Sequence, residues 1–304
     1  MEIRPVTEAE QLAASWLTVP GLPSAARQAQ KVLERLGVDP RGQIVAVEGT
    51  TVCAACLYVL TGGRGATVLM PVLSAGERVS SPEKVFRKML RQAVRACRDA
   101  GAVLIQSLVD EAPEQPWGRR LIDAGFSFLA RLEYLELEVK QTPKTALDTT
   151  WAVEPYRPET EEQFSRLIAE TYQGSLDCPA LDGLRSPADV VASHKASGVF
   201  TPDGWSLVRC NGVPAGLVLV NRRADRRGCE LVYMGVTARF RGRGLGRWLV
   251  AKAIATSRQL GCRRLAVAVD AGNAPARKLY EQAGFTNVGK RYAYYVPPDS
   301  PPAR

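Results

Sequence analysis

A cluster of glycines and arginines lies between residues 241 and 247 of the chain. It reads Arg241-Gly242-Arg243-Gly244-Leu245-Gly246-Arg247 and follows the apolar run CELVYMGV. Glycine leaves the backbone N–H groups uncovered, and the start of a helix adds the positive end of its dipole, so the expected chemistry is the binding of a diphosphate. The spacing Gly-x-Gly-x-Gly differs from the dinucleotide fingerprint Gly-x-Gly-x-x-Gly, and no P-loop Lys-Ser/Thr follows.

Positive charge is concentrated around this glycine loop. The chain has a formal net charge of +9, of which +1 falls in residues 1–150 and +8 in residues 151–304. The arginines between residues 222 and 247 face only Asp225 and Glu230; they are Arg222, Arg223, Arg226, Arg227, Arg239, Arg241, Arg243 and Arg247. Such a patch attracts a nucleic acid or a small phosphate-rich ligand, although many charge runs are only solvated surfaces.

The glycine loop needs a strand before it and a helix after it. Residues 229–236 are typical of a strand, and Leu245, Leu249, Ala253 and Ile254 form one face of a helix that we expect to end at Gly261. A second strand, RRLAVAVDAGN, then leads into a helix. We predict that Asn273 caps this helix and that Gly284 ends it.

This order of elements occurs twice along the chain. Val72 and Val236 are 164 residues apart, Asp110 and Asp270 are 160 apart, and Gly125 and Gly284 are 159 apart. A repeat of this length predicts tandem domains, each an α/β domain with a mixed β-sheet flanked by helices. The predicted domains are residues 1–140 and 151–296, with a polar linker at 141–150 and a tail at 297–304.

With these residues in place, the sequence resembles the GNAT superfamily of acetyl-CoA-dependent N-acetyltransferases. Arg241-x-x-Gly244-x-Gly246 after Val236 is similar to its pyrophosphate-binding loop, and Asn273 with Leu279-Tyr280-Glu281-x-x-Gly284-Phe285 is similar to a later motif. The resemblance covers residues 151–296 with motifs and residues 1–140 by pattern alone. It implies two central parallel strands that splay apart to leave a slot for pantetheine. The residues placed around acetyl-CoA are Met234, Val236, Arg241, Gly242, Arg243, Gly244, Leu245, Gly246, Arg247, Asn273 and Arg277.

Acetyl transfer from a thioester needs an unprotonated amine, a site for the developing oxyanion, and a proton for the departing thiolate. The family match favours the Val236 N–H at the thioester carbonyl and Tyr280 as general acid, whereas spacing alone favours a Tyr280 ring packed on the core. Glu230 is the candidate base. Strand alternation places Glu230, Val232, Met234 and Val236 on one face, where an apolar row would raise the carboxyl pKa. The alternative is a solvated glutamate at a strand edge.

Residues 171–184, TYQGSLDCPALDGL, lie between helices predicted at 161–169 and 186–196. The family resemblance implies that this segment binds the acceptor, with Tyr172, Ser175, Asp177 and Cys178 as candidates and Asp177 pairing with an ammonium. The alternative is a structural connector. A nucleophilic Cys178 is less favoured, because His194 would have to be its base and nothing places it nearby.

The first half differs at the corresponding positions. Ser81 fits a helix N-cap, Pro82 removes a donor and Glu83 adds a negative charge where a diphosphate would sit. Leu121 lies opposite Tyr280 at the offset of 159 residues. We therefore predict a degenerate, non-catalytic GNAT-like domain at residues 1–140, and whether it keeps weak CoA binding stays open.

Composition limits the possible locations of the protein, its metal sites and its function class. No apolar run approaches a membrane span, and the acidic N-terminus lacks a secretory h-region, so we expect a cytoplasmic protein without a membrane partner. The seven cysteines are scattered, and the single histidine excludes a two-His zinc site, so no metal is expected. The leading hypothesis is an N-acetyltransferase that acts on a primary amine of a small molecule or peptide, as a monomer or homodimer. A non-catalytic acetyl-CoA sensor is the alternative, and a nucleic-acid protein ranks last.

Overall fold

The computed structural model describes residues 1–18, 31, 33, 37–75, 79–140, 147–225 and 227–298. Residues 141–146 of the predicted linker, 299–304 of the predicted tail, and Arg226 of the arginine patch lie outside the described residues. The chain divides into two compact units. Unit 1 comprises Met1–Leu129 together with the segment that begins at Tyr292, and unit 2 comprises Ala130–Arg291.

Unit 1 is a mixed sheet with the strand order β1-β2-β3-β4-β6-β13, and β5 pairs with β3. Its elements are β1 (Glu2–Pro5), α1 (Gln11–Thr18), β2 (Gln43–Glu48), β3 (Thr51–Thr61), β4 (Gly65–Val68), β5 (Val72–Leu73), α2 (Pro82–Asp99), β6 (Leu104–Val109), α3 (Pro116–Asp123) and the end of β13 (Thr286–Tyr295). Strands β4 and β6 are parallel. Apolar residues of α2, including Met89 and Leu90, pack on the sheet and are fully buried.

Unit 2 repeats this plan with the strand order β7-β12-β11-β10-β9-β8. Its elements are β7 (Ser127–Glu138), β8 (Trp151–Pro155), α4 (Glu161–Tyr172), α5 (Pro187–Ala196), β9 (Trp205–Cys210), β10 (Val213–Arg222), β11 (Cys229–Val236), α6 (Leu245–Gln259), β12 (Arg264–Asp270) and α7 (Ala274–Gln282). One core lies between the sheet and α6–α7, and a second lies between the sheet and α4–α5. In each unit, mixed β-strand pairing flanked by helices confirms the predicted fold class.

The strand that closes each unit comes from the other half of the sequence. Residues 132–138 of β7 pair with β12 in unit 2, although the sequence places them within the predicted domain 1–140. Residues 292–295 of β13 pair with β6 in unit 1. No single cut in the sequence therefore separates the two units.

The start of α2 in unit 1 carries the residues predicted there. Ser81 is the N-cap residue and Pro82 opens the helix, but the Ser81 side chain makes no capping hydrogen bond. The Glu83 carboxylate instead pairs with Arg120 at 2.6 Å, and the Arg120 guanidinium lies 4.1 Å from the centre of the Trp117 ring. An internal carboxylate thus occupies the first turn of this helix. In the described part of the chain, no helix is long and apolar enough to span a bilayer.

Candidate active site

The two central parallel strands of unit 2 separate soon after they begin. Strands β11 and β12 pair at Cys229 with Leu265 and at Glu230 with Ala266. Beyond these pairs a cavity of about 490 Å³ opens, lined by residues 231–236 of β11 and 267–269 of β12. The splay that the resemblance implied is therefore present, and its volume lies in the range of small-molecule sites.

Strand β11 presents backbone donors to this opening. The Thr237 N–H, just after β11, donates to the Ala215 carbonyl of β10 at 2.9 Å. Because successive backbone groups in a strand alternate in direction, the N–H groups of Met234 and Val236 point away from β10 and toward the gap. Both residues line the cavity. These N–H groups can donate hydrogen bonds to an extended ligand chain that lies in the gap, in the place where β12 would otherwise pair with β11.

The three glycines between β11 and α6 serve different purposes. Gly242 and Gly244 have φ values of +76° and +84°, which disfavour any residue with a Cβ atom. Gly244 is the N-cap of α6. Gly246 lies inside that helix, where a Cβ atom would approach the Leu279 Cδ1 to 2.9 Å. The first two glycines allow the left-handed turns of the loop, and the third allows α6 and α7 to pack closely. The arrangement fits a diphosphate at the end of the cavity.

The predicted cofactor-binding residues divide into two groups. The cavity is lined by Met234, Val236, Arg241, Gly242, Gly244, Gly246, Arg247 and Asn273, whereas Arg243, Leu245 and Arg277 are absent from its wall. Leu245 is buried in the core beneath α6. Arg277 pairs with Glu133 of β7 at 2.9 Å. Arg243 lies beside the Phe240 ring, with 5.4 Å between the guanidinium carbon and the ring centre.

The Arg241 guanidinium is engaged by the protein itself. It donates to the carbonyls of Val236, Thr171, Gln173 and Gly174 at distances of 2.8 to 3.1 Å. Two other members of the arginine patch also have internal partners: Arg222 donates to the Leu260 carbonyl, and Arg223 pairs with Asp225 at 2.8 Å. Part of the positive patch therefore serves the fold.

Tyr280 lies on α7, whose N-cap is Asn273 as predicted. The Asn273 side chain accepts a hydrogen bond from the Ala276 N–H at 3.3 Å. The Tyr280 ring packs 5.5 Å from Phe285 and is 5% exposed, yet the residue also lines the cavity. Burial, together with the nearby Asp177 carboxylate, raises the pKa of the Tyr280 phenol well above its usual value. Core packing and a position at the cavity wall are thus combined in one residue.

Glu230 does not share a face with Met234 and Val236, so that prediction is wrong. Strand β10 pairs Leu219 with Tyr233 and Val220 with Leu231, which leaves Val232 as an extra residue in β11. The bulge shifts the alternation. Val232 and Tyr233 pack toward α4–α5, while Leu231, Met234 and Val236 pack toward α6–α7.

Glu230, one residue before Leu231, lies on the α4–α5 face at the closed end of the gap. It is not part of the cavity wall. Burial raises the pKa of its carboxyl, and Arg223 and a hydrogen bond with Ser197 oppose that rise. The carboxylate is therefore neither a freely solvated group nor a direct neighbour of Val236.

The segment after α4 places Asp177 in the cavity. The Asp270 N–H donates to the Asp177 Oδ1 at 3.1 Å, and the Cys178 N–H donates to the Asp270 Oδ2 at 3.2 Å. Burial raises the pKa of the Asp177 carboxyl. Ser175 and Asp177 line the cavity, and Asp177 is the only carboxylate among its described lining residues.

Cys178 and Tyr172 do not line the cavity. Cys178 has a left-handed φ of +46°, and burial beside Asp177 and Asp270 raises the pKa of its thiol. A thiol that stays protonated is a poor nucleophile. The Tyr172 ring packs edge-on against Tyr233 at 5.5 Å, and burial raises the Tyr172 pKa to about 12.

Sequence reasoning missed Tyr233 as a site residue and used Asp270 only as a landmark of the repeat. Tyr233 lines the cavity and shares a hydrogen bond of 2.8 Å with the Thr171 hydroxyl. His194 stacks on Tyr233 at 5.1 Å, and burial lowers its pKa to about 3. His194 is thus a neutral packing residue. The position of Asp270 at the end of β12, immediately before a Gly-Asn cap, was the signal that could have identified it.

Comparison with known proteins agrees with these features. Residues 168–285 match the acetyltransferase (GNAT) family model. Three mycothiol acetyltransferases are similar over shorter segments: that of Beutenbergia cavernae is 41% identical over 68 residues, 22% of this chain and 23% of the relative. That of Jonesia denitrificans is 34% identical over 101 residues, 32% of each chain. The chain thus spans about a quarter to a third of these two relatives.

Two solved structures share the fold along nearly the whole chain. A GCN5-related N-acetyltransferase from Sphaerobacter thermophilus superposes with a TM-score of 0.62 at 15% identity, covering 100% of this chain and 98% of its own. A tandem GNAT protein from the clavulanic acid biosynthesis pathway superposes with a TM-score of 0.53 at 15% identity, covering 97% of each chain. The resemblance inferred from the glycine loop and the Tyr280 motif is confirmed, as is the tandem arrangement.

Proposed function

We propose, on the premise that residues 168–285 form a GNAT acetyltransferase domain within a tandem GNAT fold, that this chain transfers an acetyl group from acetyl-CoA to a primary amine by direct attack on the thioester. The observation that carries the proposal is the cavity between the diverging strands. It has a glycine loop at one end and Asp177 and Tyr280 on its wall. These groups supply an anion site, a cation site and a proton donor around one space.

Acetyl-CoA supplies an activated acetyl group and a thiolate leaving group. The N–H groups of residues 242–246 bind its diphosphate at the start of α6, where the helix dipole favours negative charge. The outward N–H groups of Met234 and Val236 hold the extended arm and the thioester carbonyl in the gap. A backbone donor aimed at the developing oxyanion stabilises the transition state without reorganisation.

Tyr280 protonates the departing thiolate. Its raised pKa keeps the phenol protonated at neutral pH, so the proton is available when the thiolate forms. The buried position excludes water, which strengthens the hydrogen bond between the phenol and the developing negative charge on sulfur. The Phe285 ring fixes the orientation of the phenol by packing against it at 5.5 Å.

Two carboxylates act on the acceptor amine, one by binding it and the other by accepting its proton. Asp177 in the cavity binds the acceptor ammonium, and Ser175 lines the wall beside it. Glu230 lies at the closed end of the gap, about 20 Å of strand from Val236 at about 3.3 Å per residue, so it accepts the amine proton only through a chain of several waters. Burial raises the Glu230 pKa, which makes the carboxylate a stronger base.

Unit 1 lacks these groups, and we propose that it supports the fold without binding acetyl-CoA. The Glu83 carboxylate occupies the first turn of α2 and is held there by Arg120. At the position that corresponds to Tyr280, Leu121 is fully buried in the core. An anion would meet a negative charge at this helix terminus.

The name mycothiol acetyltransferase belongs to relatives that match in about a quarter to a third of their length. It supports acetyl transfer by this chain, and the acceptor we propose is a primary amine of a small molecule or peptide.

The test is incubation with acetyl-CoA and a panel of primary amines, with free thiol release as the readout and product mass as confirmation. We expect release that depends on one class of amine. Tight binding of acetyl-CoA without release for any amine would support the alternative, a non-catalytic acetyl-CoA sensor, which the deep burial of Tyr280 favours. Failure to bind acetyl-CoA would refute both.

A further inference from the structure

Arg241 connects two parts of the site that are far apart in sequence. Its Nε donates to the Val236 carbonyl at 3.1 Å, at the end of β11. Its Nη1 donates to the Gly174 carbonyl at 3.0 Å, and its Nη2 donates to Thr171 at 3.1 Å and to Gln173 at 2.8 Å. Four of the five guanidinium N–H groups are thus used by backbone carbonyls.

Three of these carbonyls lie at the C-terminus of α4: Thr171 is in its last turn, Gln173 is the C-cap and Gly174 comes next. The last carbonyls of a helix lack partners within the helix, and a cation there also interacts favourably with the helix dipole. Gly174 follows with a φ of +60°, as is common after a helix C-terminus. Arg241 therefore ends α4 and sets the direction in which the chain leaves it.

The segment that leaves α4 is the predicted acceptor segment. Only three residues after Gly174, the Asp177 carboxylate is held by the Asp270 N–H. The short stretch between them is fixed at both ends, at Arg241 beside the diphosphate loop and at Asp270 beside α7. Gly242, with its left-handed φ of +76°, directly follows Arg241, so the guanidinium and the N–H groups proposed to bind the diphosphate belong to the same turn.

We infer that Arg241 is a positioning residue that couples occupation of the diphosphate loop to the placement of residues 173–178, and hence of Asp177. The inference rests on the proposed function, because the diphosphate is that of acetyl-CoA. A ligand that orders the loop also orders the acceptor segment, so acetyl-CoA and the acceptor each favour binding of the other by the same factor. Arg241 acts through these carbonyls rather than as a phosphate ligand.

Amide hydrogen exchange with 3′-phosphoadenosine 5′-diphosphate tests this coupling. This fragment of CoA carries the diphosphate but lacks the pantetheine arm, so it can occupy the loop without filling the cavity beside Asp177. In the unmodified chain we expect the fragment to slow exchange at residues 242–248, and to slow exchange at residues 173–178 by about 5- to 10-fold, within the usual range of coupling between sites.

In Arg241→Ala at saturating fragment, we expect the slowing at 242–248 to remain and the slowing at 173–178 to disappear. Arg241→Lys should not restore it, because a single ammonium cannot reach the carbonyls that the guanidinium fork spans. Arg239→Ala is the matched control, since Arg239 lies 5.5 Å over the Phe240 ring of the same turn. Its exchange should equal that of the unmodified chain.

A second variant disturbs the same contact from the other side. Gly174→Ala places a Cβ atom 3.4 Å from the Arg241 Nη1 at a left-handed φ, and we expect the same loss of transmitted protection. Gly212→Ala, at a left-handed hairpin turn with no atom within 4 Å, controls for the backbone strain alone.

Three outcomes separate the possibilities. Undiminished protection of 173–178 in Arg241→Ala would overturn the inference. Loss of all fragment binding in a folded Arg241→Ala would show a direct phosphate ligand and would also overturn it. Failure of the unmodified chain to bind either the fragment or CoA would instead refute the proposed function.

Discussion

The backbone N–H of Asp270 donates to the Asp177 carboxylate at 3.1 Å and holds it inside the cavity of unit 2. The Asp270 carboxylate in turn accepts a hydrogen bond at 3.2 Å from the N–H of Cys178, the residue after Asp177. The exchange ties the acceptor segment to the end of β12. A carboxylate held in this way cannot turn out to solvent to relieve its burial.

Asp177→Asn should separate function from stability. Asparagine keeps an oxygen for the Asp270 N–H but cannot carry the charge that attracts an ammonium, so we expect the acceptor KM to rise by about 10- to 100-fold, because hydrogen bonds to charged groups contribute about 1.5 to 3 kcal/mol. Steady-state kinetics with the best amine of the panel measure this change, and CoA affinity by calorimetry should stay the same.

The same variant should be more stable than the unmodified chain at neutral pH. Burial raises the Asp177 pKa above its ordinary 3.8, so the native state binds the proton more tightly than the unfolded state does. The free energy of unfolding then falls as the pH rises from about 4 through the raised pKa. Urea unfolding at pH 4 and pH 7 should show that Asp177→Asn raises the free energy of unfolding, and that the increase is larger at pH 7. An increase that is equal at both pH values, or larger at pH 4, would contradict this assignment.

Tyr280→Phe should lower turnover more than affinity. The ring and its packing on Phe285 are kept, while the proton donor is lost, and general acid catalysis typically contributes about 10²- to 10⁴-fold. We expect kcat to fall within that range while the Kd for CoA changes by less than about threefold. An unchanged kcat would leave Tyr280 with a packing role only. Tyr295→Phe, in the segment assigned to unit 1, is the matched control.

Glu230→Gln should depress or shift the rise of the rate with pH. If Glu230 accepts the amine proton through water, activity rises with pH through its raised pKa and through the pKa of the acceptor. Burial raises the Glu230 pKa, so the rise begins above the usual range of a carboxyl. We expect a depressed or shifted pH profile in the variant, and identical profiles would remove Glu230 from the mechanism.

Gly244→Glu should abolish CoA binding. The residue is the N-cap of α6 with a φ of +84°, so a side chain is strained there and its carboxylate repels the diphosphate. Ser81→Gly, at the corresponding helix of unit 1, should leave affinity unchanged. Calorimetry on the full chain reports both, and residual binding by Gly244→Glu at the original stoichiometry would place the diphosphate elsewhere.

Asn221→Ala should destabilise unit 2. Asn221 is fully buried on β10, where it accepts from the Trp205 Nε1 and donates to the carbonyls of His194 and Ser197, each at 2.8 Å. The buried Trp205 N–H and the part-buried carbonyls of His194 and Ser197 lose their partner, and leaving a buried polar group unsatisfied costs about 1 to 3 kcal/mol. We expect the free energy of unfolding to fall by at least about 2 kcal/mol, and the exposed Asn287→Ala to change it by less than about 0.5 kcal/mol.

Sequence patterns predicted most of the local structure of the site. The end of β11 at Val236, the start of α6 after Gly244 and the Asn273 cap all occur where the residue types require them. These features depend on neighbours in sequence, which a pattern can reveal. The position of Tyr280 at the cavity was predicted by the family resemblance and not by periodicity. The sequence pattern of a buried helix position is the same with or without a ligand beside it.

The face of Glu230 could not be predicted in the same way. A bulge is a mismatch between two strands, here an extra Val232 opposite the Leu219–Val220 step of β10, and it leaves no mark on the alternation of one strand alone. The boundaries of the two compact units could not be predicted from the sequence pattern either. The alternating strand that contains Leu135 and Leu137 has an apolar face that would suit either unit, and only its pairing with β12 assigns it to unit 2.

The exchange of closing strands reverses the usual order in which a chain completes its domains during synthesis. Domains made in sequence normally finish in sequence, but the sheet of unit 1 needs residues 292–295. All of Ala130–Arg291 leaves the ribosome before that strand does. The strands of unit 2 are therefore made while the edge of β6 in unit 1 still lacks its partner, so unit 1, which begins first along the chain, is the last to complete its strand pairing.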